Sequence, residues 1–286
     1  MRGFSMQDAF PIKNSTKATK PERRIVRRKR IWLRRVSPLL TIGVLLIVWQ
    51  LVVWAGLYPR FLIPAPAEVA EAFLEALGDG ELLYHTFITF YELTLGLIIG
   101  VSVGSFLGYA IVKYPLLEDL LAPIVVAFQA TPVVAYAPLL IIWFGSGVTG
   151  KIVTAAIIVF FPTLMNTVVG LRAVPNGLRD LMRALNATPW QMFIKLELPA
   201  GLAVLLTGLK TSATLAVIGA VVGEFVSVGD GLGSMITVAR NQYDTALVIV
   251  YVLTMTALAL SLYTGVSVLE RRLLSWQRRS GSVASV

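Results

Sequence analysis

The chain has 286 residues, of which 56% are hydrophobic and only 14% are charged, whereas soluble domains carry roughly 25% charged residues. Several apolar stretches reach about 20 residues, the length that crosses a bilayer. The sequence therefore predicts an all-α, polytopic membrane protein and excludes most soluble enzymes. Cysteine is absent and histidine occurs once, which excludes disulfides, thiolate metal sites and a cysteine nucleophile.

The net charge of +9 is concentrated at the N-terminus, since residues 1–36 hold 12 of the 25 Lys and Arg residues and two of the 16 acidic residues. Such a run could contact nucleic acid. It directly precedes an apolar span, however, and basic flanks hold their side of a span in the cytoplasm. We therefore predict a basic cytoplasmic tail without a nucleic-acid partner. Both the tail and the apolar run are too long for a signal peptide.

Six spans are predicted in chain order. They cover approximately residues 38–57, 87–112, 120–143, 152–171, 202–225 and 246–269. Small residues repeat every four positions in the second span, which creates a face that a neighbouring helix can approach closely; they are Gly96, Gly100, Gly104 and Gly108. Three prolines interrupt the third span: Pro123, Pro132 and Pro138.

Charges between the spans predict the orientation. Residues 58–86 carry five acidic residues against one arginine, whereas basic residues outnumber acidic ones in 172–199 and in 271–286. The positive-inside rule then places both termini in the cytoplasm. We predict a transmembrane domain over 37–270 with a cytoplasmic loop at 172–199, followed by a cytoplasmic tail at 271–286.

The acidic segment after the first span has a helical pattern. Pro66 suits the first position of a helix, and Val69, Phe73 and Leu77 form one apolar stripe. We predict a short amphipathic helix along the outer membrane interface. An irregular loop is the alternative, because short helices are marginally stable alone.

The loop at 172–199 is long and patterned. A first helix is predicted to end at Asn186, which tolerates the left-handed conformation. A second begins at Thr188, which can cap it, with Pro189 at the first helical position and Gln191 completing a capping box. Pro199 is expected to close this helix. The loop resembles a DNA-binding helix-turn-helix, but its second helix is not basic, and its exposed apolar residues favour a docked protein.

The spacing within this loop resembles the inner-membrane permeases of ATP-driven importers that work with a binding protein. Their pattern is an acidic residue, two small residues, three variable positions and glycine, then nine positions before Ile-x-Leu-Pro. Asp180 takes the acidic position, Asn186 replaces the glycine, and the final motif is 196–199. Leu181 and Met182 depart from the small pair, while asparagine keeps the left-handed turn available.

Further segments between about 60 and 275 resemble the subfamily of sulfonate, taurine and nitrate permeases, within a group that includes vitamin and vitamin-precursor permeases. They are residues 132–139, 142–147, 160–167, 170–172 and 208–210, together with Glu224 and residues 231–233. The resemblance implies a type I-like ABC importer permease fold. It also implies three protein partners: a second permease copy, ATPase subunits on the cytoplasmic side, and an extracytoplasmic substrate-binding protein.

The same resemblance makes the loop a coupling element that inserts into the ATPase. Asp180 lies near the start of the first short helix, where the helix dipole favours a carboxylate. Trp190 offers a large aromatic surface of the kind that anchors interfaces. The coupling residues implied are Asp180, Arg183, Ala184, Asn186, Ala187, Trp190, Leu196, Leu198 and Pro199.

Polar residues within spans are candidates for the substrate path: Gln129, Thr131, Thr163, Asn166, Thr211, Ser212, Thr214 and Glu224. Span hydroxyls also commonly bond a preceding carbonyl. Many relatives of the sulfonate and nitrate type have an arginine where this chain has Glu92. A carboxylate suits an anion path less well, which favours a vitamin or its precursor, such as riboflavin or a thiamine pyrimidine. Alternatively, Glu92 faces the outer interface.

The chain is not predicted to be an enzyme. It lacks the Walker sequence that binds ATP, so ATP and Mg²⁺ would be used by the separate ATPase and no cofactor is expected on this chain. An intramembrane enzyme is the weaker alternative, because His85 is isolated and no Gly-x-Ser-x-Gly occurs. An ion-coupled secondary carrier would favour paired intramembrane acids and inverted repeats, whereas acidic residues within the spans are few and the sequence has no clear internal repeat.

Overall fold

The computed structural model describes residues 40–227 and 229–274. The chain forms two compact units, 1–57 and 58–286. In the first unit, the described helix α1 is Leu40–Trp54 and is apolar. The predicted N-terminal tail at 1–36 lies outside the described residues, as does 275–286 of the predicted C-terminal tail, so these boundaries stay predictions.

The second unit is helical, with short connections and no strand among the described residues. Its helices are α2 (Pro66–Gly78), α3 (Glu81–Lys113), α4 (Pro115–Ala130), α5 (Val133–Phe144), α6 (Val148–Arg172), α7 (Asn176–Ala184), α8 (Pro189–Met192), α9 (Leu198–Val226), α10 (Leu232–Asn241) and α11 (Thr245–Leu273). A π-helical turn, Phe193–Glu197, joins α8 to α9.

The helix lengths confirm a polytopic membrane bundle. In the described residues, four helices are long and apolar enough to cross a bilayer, or five if the bent pair α4–α5 forms one span. They are α3, α6, the combined helix Pro189–Val226, and α11. Together with the shorter apolar helix α1, this arrangement is consistent with about six transmembrane helices.

The core of the second unit is the contact between α3 and α6. All four glycines of the second predicted span are buried. A Cβ atom on Gly96 would lie 2.5 Å from the Ala155 Cβ, and one on Gly104 would lie 2.7 Å from the Phe160 carbonyl oxygen. The predicted small-residue face is therefore confirmed, and it brings the α3 backbone against α6.

The third predicted span is broken sharply. Helices α4 and α5 meet at 106°, and the break falls at Thr131 and Pro132. Proline lacks the amide hydrogen and disfavours helical geometry in the preceding residue. Pro123 and Pro138 lie inside α4 and α5, so among the three prolines only Pro132 interrupts the helical path.

Helix α2 begins at Pro66, as predicted, and the Glu68 carboxylate accepts a hydrogen bond from the Ala65 amide at 2.8 Å. The predicted apolar stripe is wrong in detail. Val69 and Ala76 are buried, whereas Phe73 and Leu77 are exposed. The two buried residues are seven positions apart, which is two turns of the helix, and α2 contacts α3 and α11.

Candidate functional site

The turn between α7 and α8 has the predicted left-handed geometry. Asn186 has a φ of 52°, and the Ala187 amide donates to the Met182 carbonyl at 3.0 Å. This hydrogen bond closes the end of α7 in the manner of a left-handed helix cap. The asparagine in the family's glycine position therefore maintains the turn.

We predict that Asn186→Gly retains transport, whereas Asn186→Val impairs it. Glycine enters the left-handed region without steric cost, while a β-branched side chain resists positive φ. Substrate uptake is compared at equal membrane abundance. Wild-type uptake by the valine variant would show that function does not depend on this turn.

The start of α8 is capped as predicted. The Gln191 amide donates to the Thr188 hydroxyl oxygen at 3.2 Å, and the Thr188 amide donates to the Gln191 side-chain oxygen at 3.0 Å. Pro189 occupies the first turn. This reciprocal capping box satisfies two amides that a helix start otherwise leaves free, so α8 has a fixed beginning after the turn.

The expectation that Pro199 closes this helix is wrong. The helical path continues from Pro189 to Val226, with Pro199 in the first turn of α9. Proline collides with the carbonyl four residues earlier in a regular α-helix. The π-helical turn at Phe193–Glu197 widens the path here, and the Leu198 amide donates to the Phe193 carbonyl. Helix α8 is therefore continuous with a span.

The segment from α7 to the π turn presents an apolar surface. Its exposed large apolar side chains are Leu178, Leu181, Leu185, Trp190 and Ile194. Of the predicted coupling residues, six are exposed and three are half-buried. The exposed ones are Asp180, Arg183, Ala184, Asn186, Trp190 and Leu198; the half-buried ones are Ala187, Leu196 and Pro199. Such a patch is typical of an interaction site.

Asp180 has a different helical position from the one expected. Helix α7 begins at Asn176, so Asp180 lies mid-helix rather than in the first turn that the dipole favours. Its carboxylate instead pairs with the Arg183 guanidinium at 3.1 Å, and both side chains are exposed. An exposed pair of this kind contributes little stability, so both groups remain accessible to a partner.

Four of the eight candidate path residues lie in one place. Thr163, Asn166, Thr211 and Ser212 lie together along the contact of α6 with α9, where the Thr163 and Ser212 hydroxyl oxygens are 2.9 Å apart. Asn166 borders two adjoining cavities of about 190 and 330 Å³. We call these two cavities together the α6–α9 groove. Its described lining contains apolar and neutral polar residues.

The remaining candidates lie elsewhere. Gln129 lines a separate cavity beside Glu118 and Arg172. Thr131, at the α4–α5 bend, donates to the Ala127 carbonyl at 3.0 Å, and exposed Thr214 donates to the Lys210 carbonyl at 3.0 Å. Both hydroxyls thus make the local backbone bonds that are common in spans.

Glu224 is buried at the end of the bundle where α9 finishes. Its carboxylate accepts hydrogen bonds from the Thr89 hydroxyl at 2.6 Å and from the Gly233 amide at 2.5 Å. The neighbouring Gly231 amide donates to the His85 Nδ1 atom at 3.0 Å. Side chains of α3 and α9 therefore fix the start of α10, since they satisfy the amides that a helix N-terminus leaves free.

The alternative that Glu92 faces the outer interface is wrong. Glu92 is 0% exposed, and its carboxylate lies 3.3 Å from the ammonium of Lys151, which is 2% exposed. Lys151 also donates to the Asp230 carbonyl at 2.5 Å. Sequence reasoning missed Lys151 as the partner. A lysine in the first turn of an apolar helix could have indicated an acidic partner, because a charge within the membrane needs a counter-charge.

The family is shown by comparison with known proteins. Residues 96–275 match the model of the binding-protein-dependent transport system inner membrane component. The chain belongs to this family. The permease is 41% identical to the riboflavin transport system permease protein RibX of Chloroflexus aurantiacus, covering 83% of this chain and 88% of RibX. It is 30% identical to the taurine transport system permease protein TauC of Escherichia coli, covering 82% of this chain and 88% of TauC.

A solved structure confirms the fold. The permease matches a chain of the inward-facing MetNI methionine ABC transporter with a TM-score of 0.57 and 21% identity, covering 68% of this chain and 94% of that one. The predicted ABC importer permease fold and the suspected subfamily are therefore confirmed. The relatives are named as transport permeases, in agreement with a transport role.

Proposed function

We propose that this permease forms the membrane path for a small nutrient and is driven by a separate ATPase that docks on α7 and α8. One observation carries this proposal: an exposed apolar segment is capped at Thr188 and continues without a break into a span. A docked protein that moves α8 would therefore move α9. The secondary carrier and the intramembrane enzyme gain no support from the relatives.

The docking surface combines the exposed apolar residues with Asp180 and Trp190. Trp190 is 69% exposed, and a tryptophan of this kind is a typical anchor in a protein interface. The other coupling residues surround it on α7 and α8 or continue into α9. We propose that ATP and Mg²⁺ are bound and used by the partner ATPase, and that this chain binds no cofactor.

We predict that Asp180→Lys weakens ATPase recruitment. The substitution reverses a charge on an exposed surface, where like-charge contacts disfavour a partner, while leaving the buried helix contacts intact. Recovery of the ATPase subunit with tagged permease is measured at equal membrane abundance. Glu71→Lys, also an exposed charge reversal but on α2, is the matched control. Normal recovery of a fully stimulated ATPase with Asp180→Lys would exclude this segment from docking.

We further propose that the substrate is a neutral, aromatic vitamin or vitamin precursor, with riboflavin as the first candidate. The identity to RibX is higher than that to TauC. The α6–α9 groove is lined by neutral residues, whereas a sulfonate path would favour a free cation. The one buried cation of α6, Lys151, is already paired with Glu92. Of the candidate path residues, Thr163, Asn166 and Thr211 are assigned to this groove, and buried Ser212 supports Thr163 through the hydrogen bond between their hydroxyl groups.

The partner binding protein provides the substrate test. Its melting temperature is measured against riboflavin, a thiamine pyrimidine, taurine and nitrate, since a ligand that binds the native state raises it. A shift with riboflavin supports the proposed class. A shift with taurine or nitrate alone would replace it with an anion and leave the permease role unaffected.

We propose that two permease copies assemble in the bacterial inner membrane with both termini in the cytoplasm and the binding protein on the outer side. Reporter fusions after Asp79, Asn186 and the C-terminus are predicted to report outside, inside and inside. The reason is the basic character of the segments at 172–199 and at the C-terminus. An outside signal at Asn186 would contradict ATPase docking on this loop.

A further inference from the structure

The π turn that follows α8 contacts the end of α3, a helix distant from it in sequence. The Lys113 ammonium lies 2.7 Å from the Glu197 carboxylate. The rings of Tyr109 and Phe193 pack edge to face with centroids 5.0 Å apart. The Lys113 ammonium is also 5.3 Å from the centre of the Tyr109 ring. We call these four residues the α3 clamp.

The clamp lies directly behind the exposed docking surface. The Trp190 ring is 5.9 Å from the Phe193 ring. Phe193 and Glu197 are the first and last residues of the π turn. A side chain proposed to contact the ATPase therefore packs on the residue that contacts α3.

The ion pair in the clamp is more buried than a surface pair. The Glu197 side chain is only 3% exposed, and the Lys113 side chain is 35% exposed. The second carboxylate oxygen of Glu197 has no hydrogen-bond partner among the described residues. A buried carboxylate without a counter-charge is strongly unfavourable, so Glu197 is held at Lys113.

Other ion pairs at this end of the bundle differ from the clamp. Arg172 and Glu118 join α6 to α4 and are 50% and 36% exposed, while Asp180 and Arg183 pair within α7. Among the ion pairs of the described residues, Lys113–Glu197 alone joins the π turn to another span. The clamp thus gives α3 a direct contact with the docking segment.

We propose that the α3 clamp transmits movement of the docked segment to α3, with Lys113 and Glu197 as positioning residues. This inference rests on the proposed docking of an ATPase at α7 and α8. When the docked segment moves, α9 moves with α8 because their backbone is continuous. Helix α3 also moves, because the clamp joins it to the π turn. Because α3 packs against α6 through Gly100 and its neighbours, α6 moves with α3. Movement of one docking segment is thereby transmitted to three spans, α9, α3 and α6.

The test is a charge exchange in the complete permease–ATPase complex reconstituted with its binding protein. The variants are Lys113→Glu, Glu197→Lys and both together. ATPase recovery, ATP hydrolysis and substrate uptake are measured on the same vesicles. We expect each single variant to recruit the ATPase normally but to lower uptake per ATP by about fivefold, the size of effect typical of residues in a coupling path. We expect the double variant to restore more than half of the lost uptake per ATP.

Glu118→Gln is the matched control, since it breaks an ion pair at the same end of the bundle without touching the clamp, and its uptake per ATP is expected to stay near wild type. If charge reversal prevents accumulation in the membrane, Glu197→Gln replaces it, because the neutral amide removes the ion pair at nearly constant shape. The same loss of uptake per ATP is expected.

Three results would overturn the clamp. The first is unchanged uptake per ATP in the single variants with normal ATPase recovery. The second is an equal loss in Glu118→Gln, which would indicate a general effect of any broken pair, and the third is a double variant that stays as defective as the singles. Failure of the wild-type chain to recruit an ATPase would instead contradict the proposed docking itself.

Discussion

Gly100→Ala is expected to prevent the permease from accumulating in the membrane. A Cβ atom at this position would lie 2.5 Å from the Ala156 carbonyl oxygen and 2.8 Å from the Val159 Cβ. Neither neighbour can rotate away, because one is backbone and the other is the branch point of a buried side chain. Overpacking of a tight core costs about 1–3 kcal/mol and more against a rigid backbone.

Gly265→Ala is the matched control for this substitution. Gly265 is also in an apolar helix, α11, but a Cβ there meets no atom within 4 Å in the described chain. Membrane abundance and the detergent melting temperature of both variants are compared with wild type. Equal, wild-type values for the two variants would show that α3 and α6 do not pack as closely as the structure indicates.

Lys151→Met is expected to cause the second large loss. The substitution leaves the Glu92 carboxylate buried without its cation and removes a hydrogen bond to the Asp230 carbonyl. Removing one partner of a buried pair costs about 3–5 kcal/mol. The melting temperature and membrane abundance of the purified variant are expected to fall sharply.

Two further variants test the cause of that loss. Arg240→Met removes an exposed cation from α10 and is expected to leave the melting temperature unchanged. Combining Lys151→Met with Glu92→Gln removes both charges of the pair and is expected to recover part of the lost stability. A Lys151→Met variant as stable as Arg240→Met would refute the buried ion pair.

Features set by neighbouring residues could be predicted from the sequence. The turn at Asn186, the capping box at Thr188 and the helix start at Pro66 each depend on a few adjacent side chains. The glycine face of α3 could be predicted because a four-residue repeat defines one side of a helix. The spacing from Asp180 to Pro199 predicted the family that the comparison confirms.

Features set by long-range contacts could not be predicted in this way. Glu92 and Lys151 are 59 positions apart, and the sequence does not show that α3 and α6 bring them together. The Lys113–Glu197 pair spans 84 positions. Pro199 was assigned to a helix end by the usual rule for proline, but a π turn keeps the helix continuous. The π turn packs against α3 through Phe193 and Tyr109, a contact between residues distant in sequence.

Crosslinking from single cysteines tests the central proposal most directly, because the natural chain has none. Ala184→Cys places a thiol on the exposed end of α7, and Ala70→Cys places one on exposed α2. The complex, with its ATPase and binding protein, is treated with a thiol-to-amine crosslinker and the adducts are identified by mass spectrometry. The account predicts an ATPase adduct at residue 184 and none at residue 70. An ATPase adduct at 70 with none at 184 would contradict it.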